Sequence, residues 1–296
     1  MSINISTPHG FFEWSPAAWL RVAGPDALSF LQGQFSQDLR SLAAAAPGVA
    51  PVYGLWLTLK GKVEGDSFIF RGEGPEEFWI GSYFSPAAVI RARLEGFIVA
   101  DDVTLEDQTS RWAGVSWVGE IPPDPVGVFG FGGRRGFPVC REWIFPREKR
   151  PPWPAAAGVV QLDVATMEAA RIAACVPAVP VDAGPGDLPN EAGLEADAIS
   201  YSKGCYLGQE VMARLKAMGQ VRRRLVRVTG PGAVPSALPA AVFAGDRPVG
   251  ELRSAVRDAA GGWRGLAMLS KLHVTADARL ALVPGGPAEL GLVDVP

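Results

Sequence analysis

The octapeptide Lys203-Gly204-Cys205-Tyr206-Leu207-Gly208-Gln209-Glu210 holds the residue types best suited to chemistry in this 296-residue chain. Val211, Met212 and Leu215 follow at helical spacing, which predicts a short helix whose N-terminus lies near Gly208, just after the cysteine. A thiol close to a helix N-terminus and beside Lys203 has its thiolate favoured, and it is then a better nucleophile or metal ligand than an ordinary cysteine. Cys140 and Cys175 lack such neighbours. The competing reading is a buried, structural Cys205 acting as a small apolar side chain. Residue types alone leave both open.

Charge concentrates around this thiol. From Ser200 to Arg227, 28 residues carry seven Lys or Arg against Glu210 alone, a local +6, while the whole chain sums to 28 minus 31, or −3. The other 268 residues therefore carry −9. A basic island on an acidic protein draws an anionic ligand to one place. Upstream, Asp182, Asp187, Glu191, Glu195 and Asp197 occur without a base from Ile172 to Ser202, so the two segments can also pair in part with each other.

Several site classes are excluded. Three scattered cysteines and two histidines near opposite ends, His9 and His273, offer no CxxC, HExxH or His cluster, so no metal site is expected. A Cys-His hydrolase would need His9 or His273 brought to Cys205 by the fold, with no flanking signature to support it. Gly130-Phe131-Gly132-Gly133 lacks dinucleotide-binding spacing. Arg222-Arg223-Arg224 resembles a nucleic-acid contact, but a pI near 5.6 is unlike a dedicated binder, and direct nucleic-acid binding is not expected.

These residues need a scaffold. Length and composition give roughly two domains with ample apolar residues for a core. Pro25 to Gln32 reads as a helix closed by Gly33; Val52 to Leu59, Asp66 to Phe70 and Phe78 to Ile80 as strands; Pro86 to Leu94 as a helix; and Phe97 to Val99 as a further strand. Trp112 to Phe145 predicts short strands, Leu162 to Cys175 a helix, and Arg224 onward a small β-barrel or sandwich. That order implies α+β rather than a doubly wound sheet. Ser41 to Leu59 runs 19 residues without a charge, yet Pro47, Gly48, Pro51 and Gly54 make it a helix end, a turn and a buried strand, not a membrane span. The first residues, MSINISTPHGFFEW, carry no secretion or transit pattern, and a cytoplasmic monomer without membrane contact is expected.

The octapeptide resembles the KGCYxGQE signature of the YgfZ family, folate-binding relatives of the glycine-cleavage T-protein that support iron-sulfur proteins. Phe30-Leu31-Gln32-Gly33-Gln34 with Gln37-Asp38, then Leu59-Lys60-Gly61-Lys62, then Arg171-Ile172-Ala173-Ala174 with Pro177, are similar to that family's further motifs in order. Leu188-Pro189 with Glu191, Gly219 with Arg223-Arg224-Leu225, Val249-Gly250 and Gly265-Leu266-Ala267 extend the resemblance over essentially the whole chain. It implies interleaved α+β subdomains over 1–222, the second at roughly 50–100, and a C-terminal β-barrel over 223–296, around an opening that takes tetrahydrofolate.

On that resemblance Cys205 is the catalytic or ligand residue, with Lys203, Tyr206, Gln209, Glu210, Glu191, Arg214 and Arg223 as folate-binding candidates. A pterin offers N–H donors to a carboxylate such as Glu191, and a glutamate tail suits Arg. The implied partners are folate and iron-sulfur client or assembly proteins. Two further functions stay open: a folate-dependent one-carbon transferase, and a tRNA-modification accessory acting through an iron-sulfur enzyme. T-proteins carry Glu where this chain has Ala173 and lack the cysteine motif, which counts against aminomethyl transfer. At Cys175 the family pattern has Gly, an exchange of small residues expected to pack without consequence.

Overall fold

Alternation along the strands builds a sheet that is buried on both faces. The computed structural model describes residues 8–43, 49–152, 158–258, 261–275 and 277–293; residues 1–7, read above for a targeting pattern, lie outside them, as do residues 44–48 of the uncharged stretch. The chain opens with β1 (Gly10–Trp14), β2 (Ala18–Ala23) and α1 (Ala27–Gln34). There follow β3 (Val52–Leu57), β4 (Val63–Arg71), β5 (Glu77–Ser82), α2 (Ala87–Glu95) and β6 (Thr104–Asp107). Then come β7 (Trp112–Val118), β8 (Phe129–Gly132), β9 (Cys140–Pro146), β10 (Val160–Gln161), α3 (Val164–Ala173), α4 (Glu195–Ala198) and α5 (Gln209–Met218). The tail is β11 (Arg223–Gly230), β12 (Ala240–Ala244), β13 (Arg247–Arg257), β14 (Trp263–Ser270) and β15 (Gly291–Leu292).

Among the described residues three five-stranded sheets result, ordered β3-β4-β5-β2-β6, β10-β1-β7-β9-β8 and β12-β13-β14-β11-β15. The first is inserted between β1 and β7 of the second, so the body is interleaved α+β and the tail is all β. The inserted sheet draws on Ala18 to Asp107, a wider span than the roughly 50–100 assigned from sequence.

In the inserted sheet Leu20, Ile69 and Ile80 face a core with α1 and α2, while Trp19, Phe68, Phe70 and Trp79 face an aromatic core shared with Phe131 and Ile144 of the second sheet. Period-two geometry sends successive side chains to opposite faces, and here both are apolar, which is why these strands read as continuous apolar runs. Burying each such side chain contributes on the order of 2 kcal/mol. A third core ties body to barrel: Leu55, Leu57 and Val63 meet Ile172, Tyr206 and Met212 and, from the barrel wall, Leu225, Leu266 and Met268. Ala267 and Leu269, the alternate residues of β14, fill the barrel interior instead.

Three local expectations need correction. α1 runs through Gly33 to Gln34, with the Phe35 N–H donating to the Leu31 carbonyl. Contacts made at this helix end outweigh the modest helix penalty of glycine. Phe97 to Val99 is not a strand: Phe97 and Val99 are 40% and 91% exposed, and the edge pairing falls to β6, where Thr104 stands opposite Ala23. Cys175 follows the α3 C-terminus with φ +54°, and the Cys175 and Val176 amides donate to the Ile172 and Arg171 carbonyls. This left-handed Schellman ending favours glycine, so the cysteine is strained there rather than neutral. Among the described residues no helix is long and apolar enough to cross a membrane.

Candidate functional site

The Ser200–Gly208 loop presents Cys205 to solvent from a base that is otherwise fixed. Gly204 and Cys205 are exposed, whereas Lys203, Tyr206 and Gly208 on either side are buried. The Ser200 hydroxyl accepts from the Lys203 amide at 3.1 Å, and the Leu207 amide donates to the Gly33 carbonyl at 3.1 Å. Gly208 caps α5 with φ +88°, and a Cβ there would stand 2.7 Å from the Thr58 carbonyl oxygen. Only glycine meets both demands. Gly61, in the turn after β3, has φ +67° and sits where a Cβ would strike Met212 and Val211 of α5 at 2.8 to 2.9 Å. The three stretches Phe30–Gln34, Leu59–Lys62 and Lys203–Glu210, far apart in sequence, therefore meet at one place.

Lys203 does not serve the thiol as a neighbouring charge. Its ammonium turns inward and donates to the carbonyls of Gln32 at 2.6 Å, Phe35 at 2.6 Å and Gln37 at 3.0 Å, using all three N–H groups at the end of α1. Burial pushes its pKa down to about 8. The surrounding motif residues complete the joint. Ser36 donates its hydroxyl to the Ala198 carbonyl and accepts from the Leu55 amide, the Gln37 side chain donates to the Asp197 carbonyl, and Gln32 donates to Asp38. Asp38 also pairs with Arg40, which holds its carboxyl well below the usual carboxylate range.

The other sequence candidates fall into two groups. Tyr206 packs its ring 5.0 Å from the Lys203 ammonium; its hydroxyl is buried without a hydrogen-bond partner among the described residues, and burial pushes its pKa up to about 12. Gln209 and Glu210 form the first turn of α5, and Arg214 lies exposed on the same helix. Glu191 and Arg223 lie instead at the seam between body and barrel, paired with each other. Arg223 donates from Nε to Glu191 Oε1 at 3.0 Å, and from Nη2 to Glu191 Oε2 and Asp187 Oδ1, both at 2.8 Å. Glu191 Oε2 also accepts the Leu188 amide at 2.8 Å, so this carboxylate is already committed.

Two buried polar groups escaped the sequence reading. Asp66 accepts from Ser85 at 2.7 Å, Ser82 at 2.9 Å and Tyr53 at 3.0 Å, and burial raises its pKa. Arg135 lies 3.8 Å from the Tyr83 ring centre and pairs with fully buried Glu142, while its Nη2 has no hydrogen-bond partner among the described residues. The signals available were a lone acid in the apolar run Asp66–Phe70 and an Arg pair, Arg134-Arg135, within a Gly-rich stretch. The Ser85 hydroxyl also lies 3.1 Å from the Val179 carbonyl, which places the Asp66 network against the loop that walls a recess of about 650 Å³ between body and barrel. Phe84, Pro180, Val181 and Leu238 give this recess apolar walls, and Arg171, Arg253, Glu168 and Glu251 give it charge of both signs.

The comparisons fit this arrangement. Residues 222–289 match the family described as CAF17, C-terminal beta-barrel domain. The human mitochondrial iron-sulfur cluster assembly factor IBA57 is 30% identical over 302 residues, covering 90% of this chain and 82% of that protein. The tRNA-modifying protein YgfZ of Edwardsiella ictaluri (strain 93-146) is 28% identical over 74% of this chain and 69% of its own length. The chain belongs to the YgfZ/IBA57 family. Its fold is that of the glycine cleavage system aminomethyltransferase T from Bartonella henselae, with a TM-score of 0.76 at 16% identity over 98% of this chain and 86% of that one.

In this member of the YgfZ/IBA57 family the three thiols differ by environment. Cys205 is exposed; Cys140 and Cys175 are half-buried. Burial and the adjacent Glu142 carboxylate push the Cys140 thiol far up, which disfavours its reactive thiolate. Iodoacetamide at pH 7.5, followed by peptide mass spectrometry, is expected to label Cys205 at least about tenfold faster than Cys140. Equal labelling would remove the distinction. Among the described residues no group of three or more His, Cys, Asp or Glu side chains is placed to hold a metal ion.

Proposed function

We propose that this protein binds tetrahydrofolate in the recess between body and barrel and assists iron-sulfur cluster assembly or repair through Cys205. The observation that carries the reading is an exposed thiol on a loop whose flanking residues are locked to α1, to the Thr58–Lys62 turn and to α5. Such a thiol meets a partner without first reorganising its support. As its thiolate it ligates iron with release of a proton. One thiolate fills one of a cluster's four cysteine positions, so the remaining ligands come from a partner protein or a small thiol. The cluster is then cargo passed between proteins.

Folate suits the recess by chemistry. Its aryl ring matches the apolar walls of Phe84, Pro180 and Leu238, and the half-exposed Glu251 carboxylate accepts pterin N–H groups, while Arg253 and Glu168, already paired with Asp187 and Arg171, charge the walls without being free ligand groups. Glu191 and Arg223, bound to each other, act as a brace below this site rather than as free ligand groups. A second reading, folate-dependent one-carbon transfer, draws on the aminomethyltransferase fold and is decided by detecting a methyl or aminomethyl product. A third, a tRNA-modification accessory, works through an iron-sulfur enzyme and requires no tRNA contact; direct tRNA binding with a steep salt slope would favour a different role.

The test has two arms. Calorimetry with tetrahydrofolate and its polyglutamates should show binding that strengthens with added glutamates and weakens with salt; no heat at millimolar ligand removes the folate claim. Cys205→Ser should keep its melting temperature and its folate binding, because one exposed atom changes, yet fail to restore iron-sulfur enzyme activity in a deletion strain. Full restoration would make the thiol dispensable.

A further inference from the structure

Arg93 reaches the same end of α1 that Lys203 holds. Its side chain, on α2, is 5% exposed; Nη2 donates to the Leu57 carbonyl at 2.9 Å and to the Gln34 carbonyl at 3.4 Å, Nη1 to Gln34 Oε1 at 3.1 Å, and Nε to Glu64 at 2.9 Å. Trp56 and Phe97 flank the guanidinium, with ring centres 5.4 and 5.6 Å away. With Arg93 included, the carbonyls of residues 32 to 37 are all taken by donors from outside α1. Lys203 holds those of Gln32, Phe35 and Gln37, the Leu207 amide that of Gly33, the Ser200 amide that of Ser36, and Arg93 that of Gln34.

Leu57 is the last residue of β3, and Thr58 beside it opens the turn against which Gly208 packs. One planar guanidinium therefore joins two segments that support the cysteine loop at different residues, α1 through Gln34 and the turn through Leu57. A lysine ammonium lacks the fork needed to reach both carbonyls and the Glu64 carboxylate together.

We infer that Arg93 is a positioning residue for Cys205, fixing α1 and the Thr58–Lys62 turn as one frame beneath the thiol loop. It touches neither the thiol nor any ligand, and acts through the carbonyls it binds. The inference rests on the reading of Cys205 as the working thiol, and its first readout is independent of that reading. Amide exchange followed by NMR on the full-length chain should show the Leu207 and Ser200 amides exchanging at least about tenfold faster in Arg93→Lys and Arg93→Ala, with the β11 amides of the barrel unchanged. Millimolar ethylguanidinium should restore protection in Arg93→Ala, and ethylammonium should not. In a Lys203→Met background the added effect of Arg93→Ala should shrink, since both act on one joint.

Leu207 and Ser200 exchange within twofold of wild type overturns the inference, and so does acceleration shared equally with the barrel, the mark of a merely global loss of stability. Faster loop exchange with reduced iron-sulfur enzyme activity in a deletion strain supports it in full. Faster loop exchange with normal activity supports the positioning of the loop and sinks the functional reading of Cys205 instead.

Discussion

Lys203→Met is expected to destabilise the protein by about 2–5 kcal/mol, the largest effect of any single change in the octapeptide. Three carbonyls lose their donor, each a buried acceptor worth roughly 1–3 kcal/mol when stranded. Against that stands relief from burying an ammonium, which the depressed pKa values at up to about 3 kcal/mol. The thioether keeps the contact with Tyr206, so lost packing adds little. Urea denaturation measures the difference, and a variant within 0.5 kcal/mol or so of wild type would show that water replaces the ammonium without cost.

The same residue gives stability a pH dependence whose sign follows from linkage. The folded pKa near 8 lies below the ordinary value of 10.5, so between the two the unfolded chain binds a proton that the folded chain has released. Wild-type stability relative to Lys203→Met therefore rises as pH rises through this window and falls again as pH drops through 8. Denaturation of both proteins at pH 7.5, 9 and 10 reads this directly. A difference that stays flat would mean that the three carbonyls keep the ammonium charged across the range.

Adjacency along the chain suggested a charge beside the thiol, but neighbours in a turn point in different directions, and the partners of Lys203 lie more than 160 positions upstream. What is local was legible: the α5 start at Gly208, the short apolar strands and the all-β tail each follow from patterns of a few residues. The family motifs marked the residues of the joint, though not why they belong together. Gly33, Gly61 and Gly208 acquire their meaning only once α1, the turn and the loop touch. Arg93 shares α2 with Arg91 and Glu95, and Asp66 shares β4 with Glu64 and Arg71, so the spacing of charges alone does not tell which of them is buried. The acidic run and the basic island do pair in part, through Arg223 with Asp187 and Glu191.

Asp182→Ala is expected to cost about 3–5 kcal/mol, because it strands one of the most completely buried cations at the seam between body and barrel. Arg171 on α3 is 6% exposed and meets Asp182, 0% exposed, at 2.6 Å. Asp182 also accepts from Ser254 of β13 at 2.6 Å and from the Ala178 amide at 2.9 Å, and Arg171 donates to the same Ser254 at 2.8 Å. Helix, turn and barrel strand are thus closed into one ring. Without the carboxylate, Arg171 keeps Glu168, whose side chain is 29% exposed and better able to share its charge with water. The recess wall made by Arg171 and Ser254 should loosen, so folate affinity should fall several-fold while iodoacetamide labelling of Cys205, held by a separate set of bonds, stays as in wild type. Replacing both partners by apolar residues, Arg171→Met with Asp182→Leu, should recover most of the stability without the affinity, since no unpaired charge is then buried. Urea denaturation and tetrahydrofolate calorimetry on the three proteins decide it: a single variant as stable as wild type, or a double variant no better than the single, would show that the ion pair does not hold barrel to body.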